Sequence, residues 1–116
     1  MFFLEGGPEW KKHEASGAEL LLDAISDEEY NAMRKAHRLQ DGTVDLSAFV
    51  SAFCVRAVKD WKGIGDRKAG QLLPCNEENV ARFGRLHCNT IGAWAIDAAT
   101  GLHRFIEAEK AEAKNV

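Results

Sequence analysis

Cys75, His87, Cys88 and His103 are of the types that hold zinc or pair a thiol nucleophile with its base. A zinc site needs such side chains to converge on one ion, usually from closely spaced pairs. The chain has no CxxC pair, and the adjacent His87 and Cys88 would struggle to reach the same ion. No catalytic signature surrounds Cys75 or Cys88. Cys54 falls on the apolar stripe of a predicted helix and reads as a small core residue. The spacing therefore supports neither a metal site nor a cysteine nucleophile.

Other candidate chemistry fails on the same kind of test. Around Gln40–Asp45, Asp41, Gly42, Val44 and Asp45 match positions of a calcium-binding EF-hand loop. His37, Leu39 and Ala48 occupy positions where that loop needs ligand oxygens, so a hard cation has too few donors. Gly63-Ile64-Gly65 is not a dinucleotide loop, because Lys68 replaces the third glycine and a helix precedes it. Asp27, Glu28, Glu29, Glu77 and Glu78 stand at predicted helix starts, where the helix dipole accounts for them. No enzyme and no cofactor is expected. Arg82, Arg85, His87 and Arg104 would gather on one side if the last two helices packed antiparallel, as a helix–turn–helix DNA binder requires. A formal charge of −3 and a pI near 5.8 favour a solvated face instead.

These residues depend on the elements that carry them. Ser26-Asp27-Glu28-Glu29 reads as a capping box, with Ile25 and Tyr30 placed as a hydrophobic staple, and predicts a helix from Asp27 to His37. Gln40-Asp41-Gly42-Thr43 ends it with turn chemistry. Leu46, Phe49, Val50, Phe53, Cys54, Ala57, Val58 and Trp61 follow helical spacing after an Asp45 cap, so a second helix is expected to run until Gly63 and Gly65 stop it. Asp66–Gly70 reads as a polar turn, and Leu73 before Pro74 as extended. Asn76 caps a third helix with Val80, Phe83 and Leu86 as its contacts. A break at Cys88-Asn89-Thr90 leads to a fourth helix with Ile91, Trp94, Ala95, Ala98, Leu102 and Phe105 on its apolar face.

The expectation is an all-α, or α-dominated, single domain over residues 1–116, with four to five helices and room for a short N-terminal strand or hairpin. Residues 1–25 read as a weakly structured N-terminal segment, since Gly6-Gly7-Pro8 and Gly17 break it and Leu20-Leu21-Leu22 fits strand or helix. Residues 107–116 read as a polar, fraying tail. At 46% hydrophobic and 28% charged residues, the chain can build a core and a solvated surface. Three cysteines, no signal sequence and no long apolar run point to a cytoplasmic protein with free thiols. Trp61 and Trp94 lie on apolar stripes, whereas Trp10 sits beside Lys11, Lys12 and His13 with no evident helix to hide it, which suits a partner contact.

Val58-Lys59-Asp60-Trp61-Lys62-Gly63-Ile64, followed by Gly70-Gln71-Leu72-Leu73-Pro74-Cys75-Asn76-Glu77-Glu78-Asn79-Val80, resembles the small tail-assembly chaperones of tailed phages and prophages. In that family a helix ending in Asp-Trp-x-Gly leads through a glycine-containing turn to Leu-Pro and a helix opening with Glu-Asn. The resemblance spans Ser26 to Ala99 and rests on structural residues: Trp61, Gly63, Pro74, Asn76 and Asn79. Cys75 and Asn76 replace an aromatic residue and a Ser or Thr. The resemblance implies a helical, non-catalytic protein that binds the tape-measure protein and tail-tube subunits in a bacterial host, with homo-oligomers compatible. Partner contacts are then expected at Trp10, Trp94, Leu102 and Phe105. The alternative reading is a small helical DNA-binding or regulatory protein of a prophage.

Overall fold

The computed structural model describes residues 7–114, so the apolar start Met1-Phe2-Phe3-Leu4 lies outside the described residues. Three helices begin at the side chains that cap them. The Ser26 hydroxyl oxygen accepts the Glu29 amide proton at 3.0 Å and opens α1 (Asp27–Ala36). Asp45 accepts from Ala48 at 3.3 Å to open α2 (Leu46–Ala57), and Asn76 accepts from Asn79 at 2.8 Å to open α3 (Glu77–Leu86). The longest helix, α4 (Ile91–Lys114), has 24 residues. The reciprocal half of the predicted capping box does not form. The Glu29 carboxylate accepts from Arg56 Nε at 2.8 Å instead.

The all-α expectation is overturned. Among the described residues four helices share the fold with two antiparallel sheets, one of three strands and one of two, so the class is mixed α and β. The first sheet has the order β1 (Glu9–Lys12), β2 (Glu19–Leu22), β3 (Val58–Lys62). A small hairpin of β4 (Gly65–Asp66) and β5 (Gln71–Leu72) follows. The early leucines are therefore a strand: Leu20 and Leu22 point inward and are fully buried, while Leu21 faces outward opposite Trp10. Gly17, at φ 77°, turns the hairpin between β1 and β2.

The end of the second helix is corrected for a specific reason. The helix stops at Ala57, and Val58 begins β3 at once. Leu22 pairs with Val58 and Leu21 with Asp60, so Lys59 is an extra residue in the ladder. That bulge returns Val58 and Trp61, three positions apart, to the same inward face, opposite Leu22 and Leu20. A bulged strand thus reproduces the spacing that a helix would give.

The core lies between this sheet and the helices. Its largest fully buried side chains come from β2, the following loop and α2: Leu20, Leu22, Ile25, Val50, Phe53 and Cys54. The α2–α3 contact is close enough to require glycine, since a Cβ on Gly84 would stand 2.8 Å from Ser51 Cα and 2.9 Å from the Val50 carbonyl oxygen. Ser51 Oγ donates to the Ala81 carbonyl at 2.8 Å across the same contact. Helix α1 buries no side chain completely and leans on α2 through Tyr30, edge-on to Phe49 at 5.5 Å. Of the predicted α3 contacts, Val80 and Phe83 are buried, but Leu86 is 63% exposed. Along α4 the side chains from Glu107 to Glu112 are all exposed. Among the described residues no helix is long and apolar enough to cross a membrane.

Candidate interaction surface

Among the described residues no group of three or more His, Cys, Asp or Glu side chains converges as a metal site would. Burial pushes the Cys54 thiol up to about 12, far above the range in which a thiolate forms. Burial, and then the Asp60 charge, also raise Cys75. In the loop tested for calcium, the Asp41 carboxylate accepts from the Thr43 hydroxyl at 2.6 Å and its amide at 2.9 Å. Those bonds hold Asp41 below the usual carboxylate range, hydroxyl first.

The basic patch envisaged on the last two helices is divided. Arg104 donates to Asp27 at 2.7 Å and ties α4 to the start of α1. Arg56 bridges Asp23 and Glu29, at 2.8 Å to each. Arg82 and His87 instead border grooves described below.

The five motif residues form a structural clamp. Trp61, 6% exposed, donates its indole N–H to the Leu73 carbonyl at 2.8 Å and packs on Phe83 at 5.6 Å. Gly63 supplies a positive φ of 77° directly after β3. The Asn79 side-chain amide donates to the Pro74 carbonyl at 3.0 Å, while Asn76 caps the same helix. The segment 64–74 is therefore held at its C-terminal end by both a tryptophan and an asparagine, which bond the successive Leu73 and Pro74 carbonyls.

Of the four residues expected to contact partners, three meet and one does not. Trp94, Leu102 and Phe105 line a groove of about 610 Å³ between β1 and α4, together with Glu9 and Lys11. Leu102 forms its floor at 4% exposure, whereas Phe105 is 52% exposed. Trp94 is half-buried, with the His13 ring edge-on at 5.0 Å. Trp10 pairs with the outward-facing Leu21, so it lies on the opposite face of the sheet, with the Lys62 ammonium 4.3 Å from its ring.

Two further grooves, which the sequence did not suggest, adjoin one another at the α3–α4 junction. One, of about 580 Å³, lies between the β1–β2 turn and that junction, and the other, of about 130 Å³, lies beneath Leu73. Both are lined by Ile64, Gly65, Phe83 and His87. Arg67 borders the first and Arg82 the second, and no Asp or Glu lines either. Comparison of the chain with protein-family models, curated proteins and solved structures finds no match.

Proposed function

We propose that this protein is a non-catalytic tail-assembly chaperone of a tailed phage or prophage, acting by contact with the tape-measure protein and tail-tube subunits. The observation that supports the reading best is the unity of its motif. Trp61, Pro74, Asn76 and Asn79, which carry the resemblance, meet through hydrogen bonds at Leu73–Pro74, where segment 64–74 enters α3. The groove of Trp94, Leu102 and Phe105 beside β1 offers an apolar surface of the kind that receives one face of an amphipathic helix.

The test is co-expression with the tape-measure protein encoded nearby, followed by pull-down and a solubility assay. A soluble complex that Trp94→Ala weakens supports the reading. A tape-measure protein that stays insoluble and unbound removes it.

A further inference from the structure

The two grooves that meet at Ile64, Gly65, Phe83 and His87 make a continuous surface of unusual charge for this chain. The protein carries 18 acidic and 15 basic residues, yet neither groove is lined by a carboxylate. Among the described residues Arg56 and Arg104 are paired with carboxylates, whereas Arg67 and Arg82 make no side-chain hydrogen bond or ion pair. Two unneutralised guanidiniums thus border a mixed surface on which the half-buried Ile64 and the exposed Leu86 are accessible apolar side chains, above the edge of the buried Phe83. Its walls are set in advance. Leu73 donates its amide to the Ile64 carbonyl at 2.9 Å, and its own carbonyl accepts from Trp61.

We propose that this double groove docks an acidic segment of a partner protein, whose carboxylates meet Arg67 and Arg82 while its apolar side chains cover Leu86 and Ile64. Guanidinium groups suit the recognition of carboxylates, and burial of the apolar neighbours adds affinity. A peptide suits the surface better than a nucleic acid, because two guanidiniums beside the apolar Ile64 and Leu86 match carboxylates set among apolar side chains rather than a continuous phosphate backbone. This inference is independent of the tail-assembly reading and concerns a different face from the Trp94 groove.

The experiment uses the full ¹⁵N-labelled chain and three probes: a short peptide alternating Glu with Leu and Phe, the same peptide with Lys for Glu, and a short duplex DNA. The acidic peptide should shift the amides of Ile64, Phe83 and His87, and the lysine peptide should not. Arg67→Glu with Arg82→Glu should weaken the acidic peptide by about tenfold or more and admit the lysine peptide. Both side chains are exposed, and Arg67→Gln with Arg82→Gln replaces the pair if charge reversal disturbs folding. Failure of the acidic peptide to shift these amides overturns the proposal, as does unchanged affinity in a folded double variant. Stronger shifts from DNA, or concentration-dependent shifts at the same amides without any probe, overturn it as well.

Discussion

The indole N–H of Trp61 donates to the backbone carbonyl of Leu73 at 2.8 Å, across 12 residues of sequence. That bond joins the last inward residue of β3 to the segment leading into α3, and therefore sets the shape of everything between. Phenylalanine at position 61 keeps an aromatic ring against Phe83 but offers no donor. Trp61→Phe should cost about 1–2 kcal/mol in urea unfolding, with faster amide exchange at Ile64 and Leu73. An unaltered midpoint together with unaltered exchange would show that the clamp does not depend on this bond.

Gly84 and Gly101 are both helical glycines, but they should respond to alanine with opposite signs. At Gly84 the new methyl meets the Ser51 and Val50 backbone at 2.8 and 2.9 Å, and backbone cannot turn aside as a side chain can. Gly84→Ala should destabilise by about 1–3 kcal/mol as α2 and α3 are forced apart. At Gly101 nothing lies within 4 Å of the added methyl, so Gly101→Ala should stabilise by about 0.5–1 kcal/mol through helix propensity. Thermal unfolding of the two variants checks the contrast, and equal effects would contradict it.

The pattern of what could be read in the sequence follows from the range of each interaction. The caps at Ser26, Asp45 and Asn76 were legible because each bond closes within three residues. The β3 strand was not, because the bulge at Lys59 gives Val58 and Trp61 helix-like spacing. The Leu20–Leu22 run was ambiguous because its outward residue, Leu21, is as apolar as its inward neighbours. Arg104 looked available for a basic patch because its partner, Asp27, lies 77 residues away. The double groove was invisible for the same reason, since the β1–β2 turn, the 64–73 segment and α3 come together only in the fold.

Arg56 occupies the point where the end of α2, the end of β2 and the start of α1 converge, with Asp23 and Glu29 each at 2.8 Å. Hydrogen bonding to Asp23, partly opposed by desolvation and assisted by Glu29, raises the guanidinium above its already high range. The side chain is 38% exposed, so solvent screening limits its worth. A double-mutant cycle of Arg56→Met with Glu29→Gln should give a coupling of about 0.5–1 kcal/mol, shrinking as salt rises. A coupling insensitive to salt would point to packing of the arginine stem instead.

The three thiols should separate by reactivity. Cys54 is fully buried and its thiol is pushed up to about 12, while Cys75 and Cys88 are only partly covered. A thiol reagent at mild alkaline pH should label Cys88, and more slowly Cys75, whose thiol burial and the Asp60 charge push up, in the native state, and reach Cys54 only on unfolding. Mass spectrometry of the labelled chain decides this. Native-state labelling of Cys54 at a rate comparable to Cys88 would be inconsistent with the core described.

The exposed pair of Arg104 and Asp27 supplies a pH-dependent link between α4 and α1. The Arg104 hydrogen bond, partly countered by desolvation, holds the Asp27 carboxyl below its ordinary value of 3.8. The folded protein therefore binds this proton more weakly than the unfolded chain, and stability from the pair is present above that ordinary value. It is lost as acid carries the pH down through the lowered folded value. Arg104→Gln should be slightly less stable than the wild type at neutral pH, and the gap should close in acid below 3.8. Carboxyl NMR should show the Asp27 midpoint moving upward in the variant. If the midpoint stays where it was, the depression belongs to the positive end of α1 and Arg104 is a bystander.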